Sequence, residues 1–220
     1  MIELHHIDCM EYMRELPDKA FELAIVDPPY GIGAASVHAG KGGGNYKHTE
    51  YKLKDWDDST MNALYYKELK RVSNNQIIWG ANHFAGSFDS SSSGWIVWDK
   101  MDIENDYSAC ELAYTSFNRG LKKFKFLWSG YWQSDMKNKE RRIHPTQKPV
   151  KLYEWLLINY AKDGDRILDT HLGSGSSAIA AHNLGFDFIG CELDADYFNA
   201  ASLRLKQHQA QLQFWTDERA

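Results

Sequence analysis

The chain has 220 residues, 43% of them apolar, and a formal net charge of -5, which suits a single domain and excludes a polycation, so any contact with nucleic acid must use a local patch. Three scattered cysteines, Cys9, Cys110 and Cys191, exclude a disulfide framework and a cysteine-type metal site, and they fit a reducing cytoplasm. No apolar run approaches the roughly 20 residues of a membrane span, and the opening MIELHHIDCMEYM lacks the basic-then-apolar order of a signal peptide.

Residues 2–8 (IELHHID) read as a short strand, and residues 9–17 as a helical turn or two stopped by Pro17. The continuous apolar run at 23–26 predicts that residues 21–27 (FELAIVD) form a strand buried on both faces. Residues 28–59 read as loop with a glycine-rich tip at 40–44, and the stretch 34–59 is expected to be mobile. Helical spacing covers residues 60–72, with Ser59 or Thr60 as its cap. Strands are predicted at 76–80 (QIIWG), 95–98 (WIVW), 110–117 (CELAYTSF) and 122–128 (KKFKFLW), with a flexible loop at 87–94. HPTQKP at 144–149 is a stiff loop. A helix at 150–160, a strand at 166–169, a helix at 176–184, a strand at 186–193 and a last helix follow. The alternation predicts an α/β fold with a mostly parallel sheet and helices on both faces.

Residues 166–194 (RILDTHLGSGSSAIAAHNLGFDFIGCELD) form a complete strand, loop, helix and strand unit. Gly173, Gly175 and Ala178 satisfy the spacing G-x-G-x-x-G/A, and Glu192 ends the second strand 17 positions after Gly175. Glycines let backbone approach a ligand, and a carboxylate at that strand end can hold two ribose hydroxyls. The unit therefore predicts an adenosine-containing cofactor, with Asp169, His171, Gly173, Ser174, Gly175, Ser176 and Glu192 lining it. A dinucleotide fold usually begins with this unit, but here only 55 residues remain from Arg166 onward. The other strands must come from the N-terminal part, in permuted order, with residues 2–8 continuing the sheet where the C-terminus stops. Asp8 would end that third strand. Two roles compete for it: reaching the cofactor's adenine amino group, or capping the helix that follows.

The remaining motif is Asp27-Pro28-Pro29-Tyr30. Together with the glycine unit and the permuted order, it resembles the β-type N6-adenine/N4-cytosine amino-methyltransferases, in which the D-P-P-Y half precedes the cofactor half. HPTQKP resembles that family's linking element. The resemblance covers nearly the whole chain and implies a circularly permuted, Rossmann-like methyltransferase fold that uses S-adenosylmethionine. It also implies cofactor contacts from Asp27, Thr146, Gln147 and Lys148. An exocyclic amino nitrogen is a poor nucleophile because its lone pair is delocalised into the ring. The Asp27 carboxylate and the Pro28 carbonyl can each accept one of its N–H groups as it becomes tetrahedral, and the carboxylate then offsets charge that exists mainly in the transition state. Proline fixes φ, so that carbonyl is aimed in advance. Tyr30 offers a face for the base, which must be flipped out of a duplex to reach it. The family usually shows D-P-F before its glycines, and here Asp169-Thr170-His171 stands instead, which bears on cofactor affinity. No ligand cluster surrounds His171, so no metal is expected.

Residues 118–142 hold eight Lys or Arg against two acids, with five aromatics between them. Basic groups for phosphate and rings for bases form a nucleic-acid footprint. Arg119, Lys122, Lys137, Lys139, Arg141 and Arg142 are its candidates, and residues 118–143 the expected target-recognition insertion within one domain of residues 1–220. Lys41 and Lys47 are added from the glycine-tipped loop, which is expected to close over the DNA. N6-adenine methylation of double-stranded DNA is the leading expectation, because the family's cytosine members more often carry Ser in place of the Asp. N4-cytosine methylation and a catalytically silent nucleotide-binding module are the alternatives, and the permuted order disfavours a nicotinamide oxidoreductase. So compact a recognition segment, with the family resemblance, implies a homodimer. Light scattering should give twice the chain mass, and a monomer both alone and with DNA would remove that expectation.

Overall fold

A computed structural model describes residues 1–32, 57, 60, 62–89, 91–101, 108–128 and 132–217. The expected mobile loop at 34–59 lies almost wholly outside the described residues. Strands β1 (Ile2–His6), β2 (Phe21–Val26), β3 (Ser73–Trp79), β4 (Trp95–Asp99), β5 (Cys110–Thr115), β6 (Lys122–Lys125), β7 (Arg166–Asp169) and β8 (Asp187–Glu192) form one sheet in the order β1-β8-β7-β2-β3-β5-β4-β6. β5 alone runs against the rest. The helices are α1 (Cys9–Arg14), α2 (Ala63–Val72), α3 (Val150–Tyr160), α4 (Ser176–Leu184) and α5 (Ala195–Asp217). This is the permuted, mostly parallel sheet: β1 pairs with β8, Ile2 opposite Phe188 through His6 opposite Glu192, so the chain's first strand extends the sheet beyond its last.

Strand periodicity sorts the core into two layers. Leu23 and Ile25 of β2 join Ile77 and Trp79 of β3 on one face, under Leu152, Leu156 and Leu157 of α3 and the alanine-rich α4. Ala24 and Val26 join Ile78 on the other, packed on Met13 of α1 and on Tyr65, Tyr66, Leu69 and Val72 of α2. With both faces covered, β2 reads as a continuous apolar run rather than an alternating one. Among the described residues, no helix is long and apolar enough to cross a membrane.

Some boundaries differ from expectation. Helix α2 begins at Ala63, and Asn62 rather than Ser59 or Thr60 caps it, its side chain accepting the Tyr65 N–H at 2.9 Å. β3 follows without a linker from Ser73, three residues early, because the Ser73 hydroxyl donates back to the Leu69 carbonyl (2.5 Å) and Gln76 donates to Ser73. β6 stops at Lys125, and α5 starts at Ala195, where the Asp194 carboxylate accepts the N–H groups of Asp196 and Tyr197.

Parallel strands put all their carboxyl ends at one edge, and β7 and β2 are neighbours there. The chain leaves β7 towards β8 on one side and leaves β2 towards β3 on the other, which opens a crevice between the two exits. Arg204 of α5 pins the surrounding loops. It donates to the Ser174 carbonyl (2.8 Å) and the Ser176 hydroxyl (2.9 Å) and pairs with Glu140 at 2.6 Å, while Glu140 also accepts the Val150 N–H that starts α3. Replacing Arg204 by Met would strand the Glu140 carboxylate, so urea unfolding should show a loss of roughly 2–4 kcal/mol.

Candidate active site

Asp27 leaves the end of β2 and meets two groups. The Tyr30 hydroxyl donates to its Oδ1 at 2.6 Å, and Lys148 Nζ donates to its Oδ2 at 2.5 Å. Lys148 also lies 3.2 Å from the Tyr30 hydroxyl and 3.0 Å from Glu111 Oε2, and its side chain is 3% exposed. Glu111 Oε1 is held at 2.6 Å by Lys100. Burial pushes the Asp27 carboxyl above the usual range, and Lys148 works against that rise. Burial would raise Glu111 too, but Lys148 and Lys100 together hold it at about 2. Burial opposes the Lys148 charge, yet Asp27 and Glu111 together keep its pKa above the ordinary lysine value. The resemblance implies cofactor contacts for both Lys148 and Asp27, and the structure sets the Lys148 ammonium against Asp27.

The two-proline turn is fixed from both sides. Asp57, 1% exposed, accepts the N–H groups of Tyr30 (2.7 Å) and Gly31 (3.0 Å) through one oxygen. The Tyr30 ring stacks on His83 at 5.0 Å and 15°. It also presses on Gly80, where a Cβ would stand 2.0 Å from Tyr30 Cε1 and where φ is +66°, so a side chain is excluded by both space and conformation. Asp57, Gly80, His83, Lys100 and Glu111 were all missed from sequence. A charged residue inside the apolar run CELAYT was the available signal for Glu111.

The glycine unit folds as a cradle at the other exit. Gly173 (φ +52°) and Gly175 (φ +73°) adopt left-handed backbone, and a Cβ on Gly175 would stand 3.2 Å from Ala201 of α5. Glu192 accepts the N–H groups of Gly173 (2.8 Å) and Asp194 (2.9 Å), one on each oxygen. Asp169 accepts the His171 N–H (3.0 Å) and the Ser177 hydroxyl (2.6 Å), and burial outweighs these bonds to push its carboxyl to about 7. His171 is drawn into a polar cluster: its Nδ1 lies 2.9 Å from the Thr170 hydroxyl and 3.4 Å from that of Tyr65, which also bonds Thr170. Burial lowers the imidazole pKa to about 4. The Ser174 and Ser176 hydroxyls lie 3.1 Å apart and buried. Asp8 caps α1, its Oδ1 accepting the Met10 (2.7 Å) and Glu11 (3.2 Å) N–H groups from the end of β1.

In the linking loop, Gln147 is structural cement. Its side chain accepts the Ile143 N–H (2.9 Å) and its carbonyl accepts the Trp128 indole N–H (2.8 Å). The Thr146 hydroxyl lies 3.1 Å from Nδ1 of His144, whose ring meets Tyr197 edge-on.

The basic candidates divide. Lys137, Lys139 and Arg141 are exposed, and the Arg142 guanidinium lies 4.9 Å from the Trp128 ring. Exposed Trp132 stands in the same segment. Lys122 is exposed on edge strand β6, so part of the expected insertion belongs to the sheet. Arg119 is not brought to Asp27. It donates to the Asn159 carbonyl (2.7 Å) near the end of α3, a helix roughly 16 Å long that starts beside Lys148. Lys41 and Lys47 lie outside the described residues. Among the described residues, no group of three His, Cys, Asp or Glu could hold a metal ion.

A permuted sheet with these two strand ends side by side belongs to the methyltransferase class of Rossmann-like folds, and solved structures share it. M1.HpyAVI, solved with S-adenosylmethionine, matches 93% of this chain and all of its own with a TM-score of 0.54 and 22% identity. PvuII DNA methyltransferase, cytosine-N4-specific, matches 95% of this chain and 90% of its own with a TM-score of 0.59 and 12% identity. Among sequence relatives, the type II methyltransferase M1.MboII of Moraxella bovis is 24% identical over 93% of this chain and 96% of its own length. M2.DpnII of Streptococcus pneumoniae is 25% identical over 92% and 89%. The DNA methylase family model of the N6/N4 type matches residues 74–203, more than half of the chain. The chain belongs to the N6-adenine/N4-cytosine DNA methyltransferase family.

His171 is the departure from the family's pattern, and it predicts a pH dependence. A base whose folded pKa is lowered from 6.5 to about 4 lends stability that is complete above pH 6.5 and is lost as pH falls through 4. The melting temperature of the wild type relative to His171→Phe should therefore fall steadily between pH 7 and pH 4. A difference independent of pH would show the imidazole to be charged or exposed.

Proposed function

We propose that this DNA methyltransferase transfers a methyl group from S-adenosylmethionine to N6 of an adenine flipped out of double-stranded DNA. The observation that carries the reading is the Asp27 carboxyl group at the crevice, bonded by Lys148 and flanked by the Tyr30 ring. The cofactor fits the residues present. The glycine cradle at Gly173 and Gly175 admits close backbone approach, and each Glu192 oxygen, having accepted one N–H, keeps a lone pair for a ribose hydroxyl. Asp8 at the end of β1 offers its free oxygen to the same side, beside its capping role. M1.HpyAVI and TTHA0409 of Thermus thermophilus, both with this fold, were solved with S-adenosylmethionine.

When bound, S-adenosylmethionine supplies an electrophilic methyl on a sulfonium. The chain's own residues prepare the nucleophile. Asp27 and the Pro28 carbonyl accept the two N–H groups of the base, the lone pair turns towards the methyl, and Asp27 offsets the positive charge that grows on nitrogen. Tyr30 gives the base a face, on the side of the pocket where His83 now stacks. Lys137, Lys139, Arg141 and Arg142 with Trp132 offer phosphate and base contacts for the DNA. Asp at position 27, where the family's cytosine members more often have Ser, favours adenine. A cytosine-N4-specific enzyme with the same fold supports cytosine as the second reading.

Purified protein incubated with S-adenosylmethionine and unmethylated DNA should yield N6-methyladenine on nucleoside mass spectrometry. Asp27→Ala should reduce it at least about a hundredfold. N4-methylcytosine instead would replace the base and keep the mechanism.

A further inference from the structure

We infer that Glu111 is a positioning residue for methyl transfer: it gives Lys148 a second carboxylate, so that Asp27 is released from the ammonium to the amino group of the target base. The inference rests on amino methylation at Asp27 and holds whichever base is modified.

Four charges alternate in a row. Lys100 Nζ lies 2.6 Å from Glu111 Oε1, Glu111 Oε2 lies 3.0 Å from Lys148 Nζ, and Lys148 Nζ lies 2.5 Å from Asp27 Oδ2. They arrive from separate parts of the chain. Asp27 follows β2, Lys100 follows β4, and Lys148 precedes α3. Glu111 stands near the start of β5, opposite Trp98. Because β5 alone is antiparallel, its beginning lies at the edge where the other strands end, and this brings Glu111 level with the crevice. Lys148 is 3% exposed, so water cannot replace a lost partner there.

That burial creates a conflict at Asp27. A carboxylate gripped by an ammonium is already engaged, and the N–H of an incoming base must compete for it. The ammonium also opposes the positive charge that develops on the target nitrogen. With Asp27 as its sole anion, Lys148 would stay fast, since leaving would strand a charge out of water. Glu111 removes the conflict. Lys148 can lean towards it without losing ion pairing, and Lys100 holds Glu111 in place as an anion from the other side. The benefit is greatest as charge grows on the base nitrogen, so it should appear in kcat more than in binding.

Glu111→Gln keeps the shape and removes the charge. We expect kcat to fall about ten- to a hundredfold. The calorimetric Kd for S-adenosylmethionine and the KM for DNA should stay within about twofold. Glu111→Asp, which keeps the charge but draws it back, should fall between the two. A kcat for Glu111→Gln within about twofold of wild type overturns the inference, and so does a loss confined to KM or Kd. Melting curves are taken first. Should the Gln variant not fold, Glu111→Asp decides, and a wild-type kcat in it overturns the inference. The identity of the methylated nucleoside in the wild type tests adenine against cytosine separately. N4-methylcytosine would change that reading and leave this one standing.

Discussion

An ammonium that water scarcely reaches must find its anions inside the protein, and Lys148 finds Asp27 and Glu111. Taking three such charges from water costs several kcal/mol per ion, and only close, well-bonded partners offset that. The surrounding structure is arranged to hold those partners. The linking loop must deliver Lys148 at a fixed height, so Gln147 bonds Ile143 and Trp128 through its own side chain and carbonyl. Glu140 receives the first N–H of α3 and is itself held by Arg204 from the last helix. One buried cation thus explains why a stiff loop, an internal helix and the C-terminal helix are bonded to one another.

The same edge of the sheet carries the second constraint. Tyr30 presents a ring beside the carboxylate because Asp57 holds its N–H and because Gly80 leaves room for it. The cofactor cradle lies one strand away at β7, where Asp169 and Glu192 bond the backbone of the glycine loop. Parallel strands gather these ends at a single crevice, and the reversal of connection direction between β7 and β2 keeps it open.

Much of the site was legible because it is local. Asp27 to Tyr30 are consecutive, and two prolines after a buried strand announce a rigid turn. The glycine unit lies within one strand, loop, helix and strand, so its spacing is its structure. Helix α3, strand β7 and helix α4 were legible for the same reason: their apolar periods and flanking Pro or Gly lie inside the segment itself. Asp8 was legible only as two competing roles, and its bonds to Met10 and Glu11 show the capping one. The surroundings of Arg119 were not legible: only the tertiary structure shows its guanidinium packed on Phe117 and Tyr160 at the far end of α3.

By itself, the sequence determined the class of fold, the permuted order and the two motifs, because each depends on contacts between near neighbours or on how many strands a short C-terminal half can supply. Tertiary structure alone decided the partners of Lys148 and the need for Gly80. Glu111 lies 37 residues from Lys148, and Gly80 lies 50 from Tyr30. No period or spacing links them. Only the placement of antiparallel β5 beside β3, and of β3 beside β2, brings a carboxylate to an ammonium and a bare backbone to a ring.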